Sequence, residues 1–393
     1  MSNLPDISDV SASLGEPKWL FDLRTQTFLK GEELPRGEKY GIAIPALEMD
    51  TVPEFRATAE YEVTPSKGLE LYTWKEAVTQ EEIAAVLERL LTSELLAPAQ
   101  SLIAAFGRAL FRSGLVVYVQ PTLDDAGNSA LETLTLNTTV PQGESADIIV
   151  VIAKTGSRLA LKSLLTGGGE RSCFARTIIV LAEEDARVEF SSSAHDLVGF
   201  ISQESYLLTG AHSSVEWTED PICNGKYRSV VHASLLGEGA KSEILHTVLA
   251  SEHSAFDIWA GVDHAASDTY SRIFALGLAA GESRVVYRGK INMKQGVARV
   301  NGEQEGKFLI VSDKASVDAI PALDIASKDV HSVHKLSVSH IRALDLFYAK
   351  SRGLGERDAR SLTLEGFFGT ILNKIGKEAL LESVRSRIAK LNN

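Results

Sequence analysis

Short runs of apolar residues fill the middle of the chain and restrict its fold more than any other feature. Runs rich in Val, Ile, Thr and Tyr follow one another from Leu115 onward, separated by Gly, Asp and Ser. Examples are Leu115–Val119, Asp147–Ile152, Thr177–Leu181 and Ser229–His232. β-branched and aromatic residues in runs of this length are typical of β-strands. The sequence therefore predicts a long β core that contains little helix.

A weak internal repeat links these runs. In each unit an apolar run is followed by a few polar residues, one small residue and the next apolar run. The small residues of the first three units are Ala186, Ala211 and Ala240, 25 and then 29 positions apart, and Ala315 belongs to a later unit. A period of roughly 20–50 residues is typical of stacked repeats. The repeat predicts a β-solenoid, and its uneven period leaves a two-sheet sandwich as the alternative.

Helical spacing flanks the β core on both sides. Thr79–Glu82 has the pattern of a capping box and precedes an apolar stripe from Ile83 to Leu91. After Ile341 the spacing returns, with a last segment over 371–391. The sequence therefore predicts three regions: a helical and irregular region 1–112, a β-helical core 113–338 and a helical region 339–393.

Charge and cysteine content exclude several classes of protein. The net charge of −12 argues against a general nucleic-acid binder, although the predicted region 339–393 is basic. No apolar run approaches the roughly 20 residues that span a bilayer, and the N-terminus lacks a signal pattern, so we expect no membrane association. With only Cys173 and Cys223, a disulfide framework is excluded and a cytoplasmic location is predicted.

The motifs of common enzyme classes are missing from the sequence. Gly237–Ser242 resembles a phosphate-binding loop, but Leu235 and Ala240 stand where that loop requires glycine. Thr166–Gly169 opens no helical pattern, so we expect a flexible loop there. Neither Gly-x-Ser-x-Gly nor His-Glu-x-x-His occurs. We therefore expect no enzymatic activity; a β-solenoid carbohydrate-active enzyme is an alternative that requires carboxylates clustered on one face.

A histidine-rich segment ends the predicted β core. His331, His334 and His340 lie within ten residues of one another. Because side chains alternate along a strand, His331 shares a face with Val333 and Lys335, whereas His334 lies on the other face. Histidines on opposite faces cannot bind one metal ion together. A single imidazole here would be a core or interface residue, or one metal ligand completed by another chain.

Several segments together point to a known family. They are Val330–His334, Asp345–Leu354 with its Leu-Phe-Tyr and Ser-Arg-Gly, Gly366–Phe368, and, with less specificity, Ser11–Trp19 and Phe111–Val119. In this combination the chain resembles the SufB/SufD scaffold proteins of iron–sulfur cluster assembly. The resemblance touches both ends and covers nearly the whole chain.

The resemblance implies a fold and two partner surfaces. The family fold is a right-handed parallel β-helix flanked by helical regions; its members pair through their β-helices, and their C-terminal helices bind the ATPase SufC. Region 339–393 is therefore expected to bind a SufC-type ATPase. The candidate partner-binding residues are Phe347, Tyr348, Arg352, Gly353, Gly366, Phe367 and Phe368. Packing of the aromatic residues between the helices is the alternative.

Two departures from the SufB pattern indicate the SufD branch. SufB carries a Gln-Cys pair whose Cys is implicated in receiving sulfur, and the matching pair here is Gln304-Glu305. SufB also has Glu directly after its C-terminal His, where this chain has Lys335. In SufD the matching His is implicated at the SufB–SufD interface near the nascent cluster. The resemblance therefore implies that His334 is an iron or cluster ligand at such an interface.

The function implied by the resemblance is that of a SufD-like, non-enzymatic scaffold subunit. It would pair with a SufB-type subunit, bind SufC and share a transient iron–sulfur cluster with its partner. Flavin binding is left open. The alternative is a homodimer of this chain, a structural or iron-recruiting scaffold that carries no cluster.

Overall fold

Most of the chain folds into a single stacked β structure. The computed structural model describes residues 7–32, 34, 55–66, 68–93, 96, 99, 101–124, 127–341, 343–374 and 384–385. Strands account for 54% of the chain, and residues 131–340 form a parallel β-solenoid of about seven turns with helices on both sides. The predicted β-solenoid with flanking helices is confirmed, and the two-sheet sandwich is wrong.

The described elements follow the predicted order of helices, strands and helices, except that two short strands, Glu60–Pro65 and Leu69–Thr73, lie within the region 1–112. The helices are α1 (Ile7–Leu14), α2 (Lys18–Glu32), α3 (Trp74–Ala77), α4 (Glu81–Leu91), α5 (Leu102–Leu110), α6 (Ala343–Ser351) and α7 (Glu356–Lys374). The strands are β1 (Glu60–Pro65), β2 (Leu69–Thr73), β3 (Ser113–Val119), β4 (Leu131–Val140), β5 (Glu144–Ala153), β6 (Arg158–Ala182), β7 (Arg187–Thr209), β8 (Ser214–Cys223), β9 (Lys226–Leu235), β10 (Lys241–Ala250), β11 (Ala255–His264), β12 (Tyr270–Ala279), β13 (Arg284–Met293), β14 (Val300–Ile310), β15 (Ser316–Ile325) and β16 (Val330–His340).

The solenoid alternates between two parallel sheets. Sheet A contains β3, β5, the second halves of β6 and β7, and then β9, β11, β13 and β15. Sheet B contains β4, the first halves of β6 and β7, and then β8, β10, β12, β14 and β16. Equivalent residues of successive turns are register partners, so they stack along the solenoid. Phe190 lies on Trp217 in this way, with 4.5 Å between ring centroids.

The corners from sheet A to sheet B explain the repeat in the sequence. At four successive corners, one residue has a φ between 54° and 75° and is followed directly by a small residue that is fully buried; at the next two, Asp268 and Arg299 have the positive φ, and the buried Thr269 and Val300 follow them. The positive-φ residues of the four are Gly156, Asp185, His212 and Gly239, and the buried residues are Ser157, Ala186, Ser213 and Ala240. At these four corners the N–H of the small residue bonds back to a carbonyl three residues earlier, as in Ala186 to Glu183 at 3.1 Å.

This alignment corrects the predicted repeat. Ser213, rather than Ala211, is equivalent to Ala186 and Ala240, and it lies 27 positions from each of them. Ala315 is at the opposite corner, between β14 and β15. The apparent irregularity of the repeat therefore came from one misassigned small residue and from mixing the two kinds of corner.

The glycine segment Thr166–Gly169 is part of a strand, and its prediction as a flexible loop is wrong. It lies within β6, where that strand bends from sheet B to sheet A. Gly167 and Gly168 have φ values of 90° and 76°, which residues with a Cβ rarely adopt. The glycines therefore allow the bend without interrupting the strand.

A buried ion pair joins the N-terminal helices to the solenoid. The Arg24 guanidinium donates to Glu16 at 2.6 and 2.8 Å, and also to the carbonyls of Ala109 and Phe111 at the end of α5. Trp74 Nε1 donates to the same Glu16 carboxylate at 2.8 Å. α5 in turn packs on the outer face of sheet A. The segment Ser11–Trp19 that resembles the family pattern thus contributes Glu16, the acidic partner in this buried ion pair.

The predicted capping box at Thr79–Glu82 is wrong. α4 begins after Gln80, whose side chain forms no capping hydrogen bond. A capping box forms one helix earlier, where the Thr73 hydroxyl accepts from Glu76 N–H and the Glu76 carboxylate accepts from Thr73 N–H. Tertiary packing of the α4 apolar stripe, with Ile83 and Leu87 buried, holds that helix without the cap.

At the C-terminal side, α7 packs on the outer face of sheet B. Leu364, Phe368 and Leu372 of α7 are buried against this sheet. The sheet residues that receive them are Leu245, Leu249, Phe274, Leu276, Leu278 and Leu309. Of the predicted helical segment 371–391, residues 375–383 and 386–391 lie outside the described residues.

We expect Arg24→Met to destabilise the N-terminal helices by about 3–5 kcal/mol, because it leaves the Glu16 carboxylate buried without its cation. Urea unfolding followed by circular dichroism at the helical band measures the change. Lys18→Met is the matched control, since the Lys18–Asp22 pair is exposed and contributes less than about 1 kcal/mol. Equal unfolding midpoints for the two variants would contradict the structural role of Arg24.

His264 makes the stability of the solenoid pH-dependent. Its ring is buried at the end of β11, with Nδ1 2.7 Å from Thr269 Oγ1 and Nε2 2.8 Å from Ser271 Oγ. Desolvation lowers the pKa of His264 from 6.5 to about 4. The unfolded chain therefore binds a proton at a higher pH than the folded chain, and stability is lost as the pH falls from 6.5 towards 4.

We expect His264→Asn to have a flatter stability profile than the natural chain between pH 7 and 4, by up to roughly 3 kcal/mol. Asn keeps a donor and an acceptor but does not titrate in this range. Urea unfolding at several pH values measures the profile, and His253→Asn is the control because the His253 side chain is 82% exposed. Parallel profiles for the natural chain and His264→Asn would exclude this role.

Candidate functional site

The two ends of the solenoid differ. At the first end, the short strands β1 and β2 pair antiparallel with β4 and β3 and so cover the outer strand of each sheet. At the other end, β15 and β16 pair only with β13 and β14 among the described residues. Strands of parallel sheets are normally buried, so an uncovered last strand in each sheet is unusual. The second end, formed by β15 and β16, is therefore open, and we refer to it as the open end.

Burial falls sharply at the open end. β13 and β14 are largely buried, whereas every residue of β15 and β16 is at least partly exposed. Inward-facing apolar residues that would be covered by another turn are accessible here. Ile325 is 45% exposed and Val338 is 40% exposed. The sequence pattern of β15 and β16 is that of ordinary core strands, so it did not reveal this exposure.

The strands of the open end carry opposite charges. β15 contributes the carboxylates of Asp318 and Asp324, which pair with Arg284 and Lys290 of the preceding turn. β16 contributes Lys335 and three exposed histidines, His331, His334 and His340. The open end thus has an acidic strand beside a strand rich in histidine.

His331 and His334 face opposite sides of β16, as predicted. His334 is the register partner of the buried Gln304, and it shares the inward-facing side of the strand with Val330 and Leu336, which pack on the core. His331 is the register partner of the outward-facing Asn301. Because no further turn covers it, the His334 side chain is exposed although it faces inward. By the same register His340, the partner of the buried Ile310, also lies exposed on the interior side of the open end.

The two positions that depart from the SufB pattern are neighbours in space. Glu305 and Lys335 are register partners on β14 and β16 and face outward. With Arg272 and Glu303 they line a shallow surface pocket. Glu305 also forms an ion pair with Lys307 at 3.0 Å. Where the SufB pattern has a Cys and a Glu, this chain therefore has a carboxylate and an ammonium group side by side.

Neither cysteine is placed like a reactive thiolate. Burial raises the pKa of Cys173 to about 12 and that of Cys223 to about 11, so both remain protonated at neutral pH. Within the described ranges no three His, Cys, Asp or Glu side chains form a group that could hold a metal ion. His334 is one of the three exposed histidines of β16 at the open end.

Two buried carboxylates of the solenoid are bonded to other core side chains. Asp147 is paired with Arg176, and both side chains are fully buried. Glu219 accepts hydrogen bonds from Trp217 and Tyr227. Each carboxylate is thus held by side chains of the core, away from substrate access.

The C-terminal helices expose an apolar surface. Phe347 and Tyr348 of α6 are 68% and 63% exposed, and the sequence did not single out Leu344 and Leu362, which are 69% and 58% exposed. Their helical spacing was the available signal. Of the other predicted partner-binding residues, Arg352, Gly353 and Gly366 are exposed, Phe367 is half-buried and Phe368 is fully buried.

None of the helices described by the structure is both long and apolar enough to cross a bilayer.

Comparisons with known proteins give the family. A family model described as "SUF system FeS cluster assembly, SufBD core domain" matches residues 136–367. An "iron-sulfur cluster assembly SufBD family protein" of Mycobacterium leprae is 28% identical over 238 residues, which are 59% of this chain and 27% of the relative. A protein of the same description from Staphylococcus epidermidis is 23% identical over 217 residues, 54% of this chain and 46% of the relative.

The matched segment spans less than half the length of each of these relatives. Residues 136–367, which the family model matches, begin within β4 and include the later turns of the solenoid, the open end and α6. Because the family model covers more than half of the chain and includes these features, the chain belongs to the SufBD core family of the SUF iron–sulfur cluster assembly system.

Proposed function

We propose that this chain is a SufD-like scaffold subunit without catalytic activity of its own. It pairs through its open end with a SufB-type scaffold, binds a SufC-type ATPase through its C-terminal helices, and offers His334 to iron or to the cluster under assembly. The observation that carries this proposal is the open end itself, which exposes core residues together with the inward-facing imidazole of His334.

The open end has the properties of an interface between two solenoids. Unpaired strand edges are normally covered or blunted, because they pair readily with another chain. Among the described residues, the outer edges of β15 and β16, 10 and 11 residues long, have no strand partner, and Ile325 and Val338 of these strands are exposed. Another solenoid end supplies both missing features, since it continues the sheets and buries the apolar side chains.

The cysteines of this chain favour a SufB-type partner over a second copy. Cluster assembly requires thiolate or sulfide ligands. Both cysteines here are buried, and burial raises the pKa of each thiol. The position that matches the SufB cysteine is Glu305. A partner with its own accessible cysteine therefore complements this chain, whereas a second copy adds a second His334 and no thiolate.

His334 suits a shared iron site. A neutral imidazole is a good ligand for iron. The side chain is exposed on the interior side of the open end, where a partner would meet it. Iron or the cluster is cargo in this proposal, and the remaining ligands come from the partner or from sulfide.

The exposed surface of α6 suits the ATPase. Leu344, Phe347 and Tyr348 are each more than 60% exposed on one short helix, which is unusual for residues of this size. α6 contacts α7, and α7 packs on sheet B through Phe368. Movement of the bound ATPase would thus reach the solenoid through α7, and the buried Phe368 would transmit it rather than contact the ATPase.

We expect the double variant Ile325→Lys, Val338→Lys to lose scaffold pairing while it remains folded, because both side chains are already exposed and two desolvated charges oppose the contact. Size exclusion with light scattering, after co-expression with the other SUF subunits, measures the pairing. Leu131→Lys is the matched control, since Leu131 is 46% exposed at the covered end.

The same experiment separates the partners. A complex of one copy of this chain with a different scaffold supports the proposal. A stable homodimer that is broken by the same double variant supports the iron-recruiting homodimer instead. Pairing that survives the double variant contradicts the proposed interface in either form.

We expect Phe347→Ser to weaken binding of the SufC-type ATPase at least tenfold, because the loss of a large aromatic contact at the centre of an interface costs at least about 2 kcal/mol. Isothermal titration calorimetry with the purified ATPase measures the affinity. Leu123→Ser, at a residue 73% exposed and far along the chain, is the control. Unchanged affinity in Phe347→Ser would remove α6 from the docking surface.

A further inference from the structure

Gln304 is buried although its side chain contains a polar group without a hydrogen-bond partner among the described residues, a combination that a stable core normally avoids. It is 2% exposed; its amide Nε2 faces the Tyr287 hydroxyl, whereas Oε1 has no hydrogen-bond partner among the described residues. Leaving a buried polar group unsatisfied costs about 1–3 kcal/mol. The neighbouring turns place apolar residues at this position, with Ile273 and Ile244 stacked beneath Gln304. An apolar residue would therefore fit here, and the carboxamide calls for another explanation.

A glycine on the opposite sheet makes room for this carboxamide. A Cβ atom added to Gly289 would collide with Gln304 Nε2 and would lie 2.7 Å from the Tyr287 hydroxyl. The carboxamide therefore rests directly on the Gly289 backbone, beside the Tyr287 hydroxyl. Glycine within a strand often marks such a close approach. Gly289 thus leaves the space that the polar side chain of Gln304 occupies inside the solenoid.

This position lies one turn beneath His334. Gln304 and His334 are register partners on β14 and β16, and both face the interior of the solenoid. Neighbouring strands are about 4.8 Å apart. Gln304 is thus the last buried residue of the column that His334 ends. The carboxamide and the imidazole are successive members of one stack.

We infer that Gln304 is a positioning residue for His334: its carboxamide oxygen accepts the N–H of the imidazole when the other ring nitrogen binds iron. The inference rests on the proposed function of His334. Histidines that bind metals almost always donate their second N–H to an acceptor, which fixes the tautomer and the ring orientation. Gln304 Oε1 is a buried acceptor without a partner at the adjacent position.

A purely structural role and a positioning role predict opposite effects of Gln304→Leu on stability. Leu is close to Gln in size and removes the unsatisfied amide. If Gln304 serves His334, the variant unfolds at the same temperature as the natural chain or higher, while its affinity for iron falls. Removal of such an acceptor typically lowers metal affinity 10- to 100-fold. If Gln304 only supports the core, stability falls and iron affinity is unchanged.

The test uses the full chain, purified anaerobically with the subunits that accompany it and titrated with ferrous iron against a chromophoric chelator. Gln304→Leu is compared with Gln304→Glu, which keeps an acceptor oxygen and is expected to restore affinity. Gln203→Leu is the matched control. Gln203 is also a buried interior glutamine, but it is bonded to Ser192 several turns away, so its loss should lower stability and leave iron affinity unchanged.

The outcomes distinguish this inference from the proposed function. Loss of iron binding in His334→Ala with natural affinity in Gln304→Leu overturns the role of Gln304 and keeps that of His334. Natural affinity in His334→Ala overturns both. Reduced affinity in both variants, with unfolding temperature retained in Gln304→Leu and affinity recovered in Gln304→Glu, supports the positioning role.

Discussion

Every turn of this solenoid depends on the turn before it for backbone hydrogen bonds. In-register parallel pairing means that β14 and β13 form backbone hydrogen bonds to one edge of β16 and β15, respectively. The other edge of each of these last two strands has no partner in the described chain. The same pairing stacks equivalent side chains, so the surroundings of each side chain are set by the residues at the equivalent position of the neighbouring turns. The open end, the exposure of His334 and the burial of Gln304 all follow from that one constraint.

The fold was largely predictable because the β-strand signal is repeated in every turn. Predictions of local detail were wrong where tertiary packing outweighs the local sequence pattern. Ala211 is small and close to a corner, yet Ser213 occupies the buried position, because the residue before it takes the positive φ. The glycines after Thr166 look like a loop in isolation, but the strands on either side of them in space hold them in β6.

The candidate site was predictable only in part. Strand alternation correctly separated His334 from His331, since it depends on period alone. The exposure of Ile325 and Val338 could not be foreseen, because their sequence is that of buried strands and only the absence of a following turn uncovers them. Gln304 was noted as half of a motif, whereas its unsatisfied amide depends on Gly289, fifteen residues away and on the other sheet.

The short antiparallel strands at the first end have a consequence for assembly. A solenoid with two exposed ends could add copies without limit and grow into a fibre. Here β1 and β2 run against the direction of the turns and present edges of only six and five residues. If chains associate through the open end as proposed, the first end offers no long parallel edge for the next copy. The proposed pairing through the open end would therefore stop at two chains.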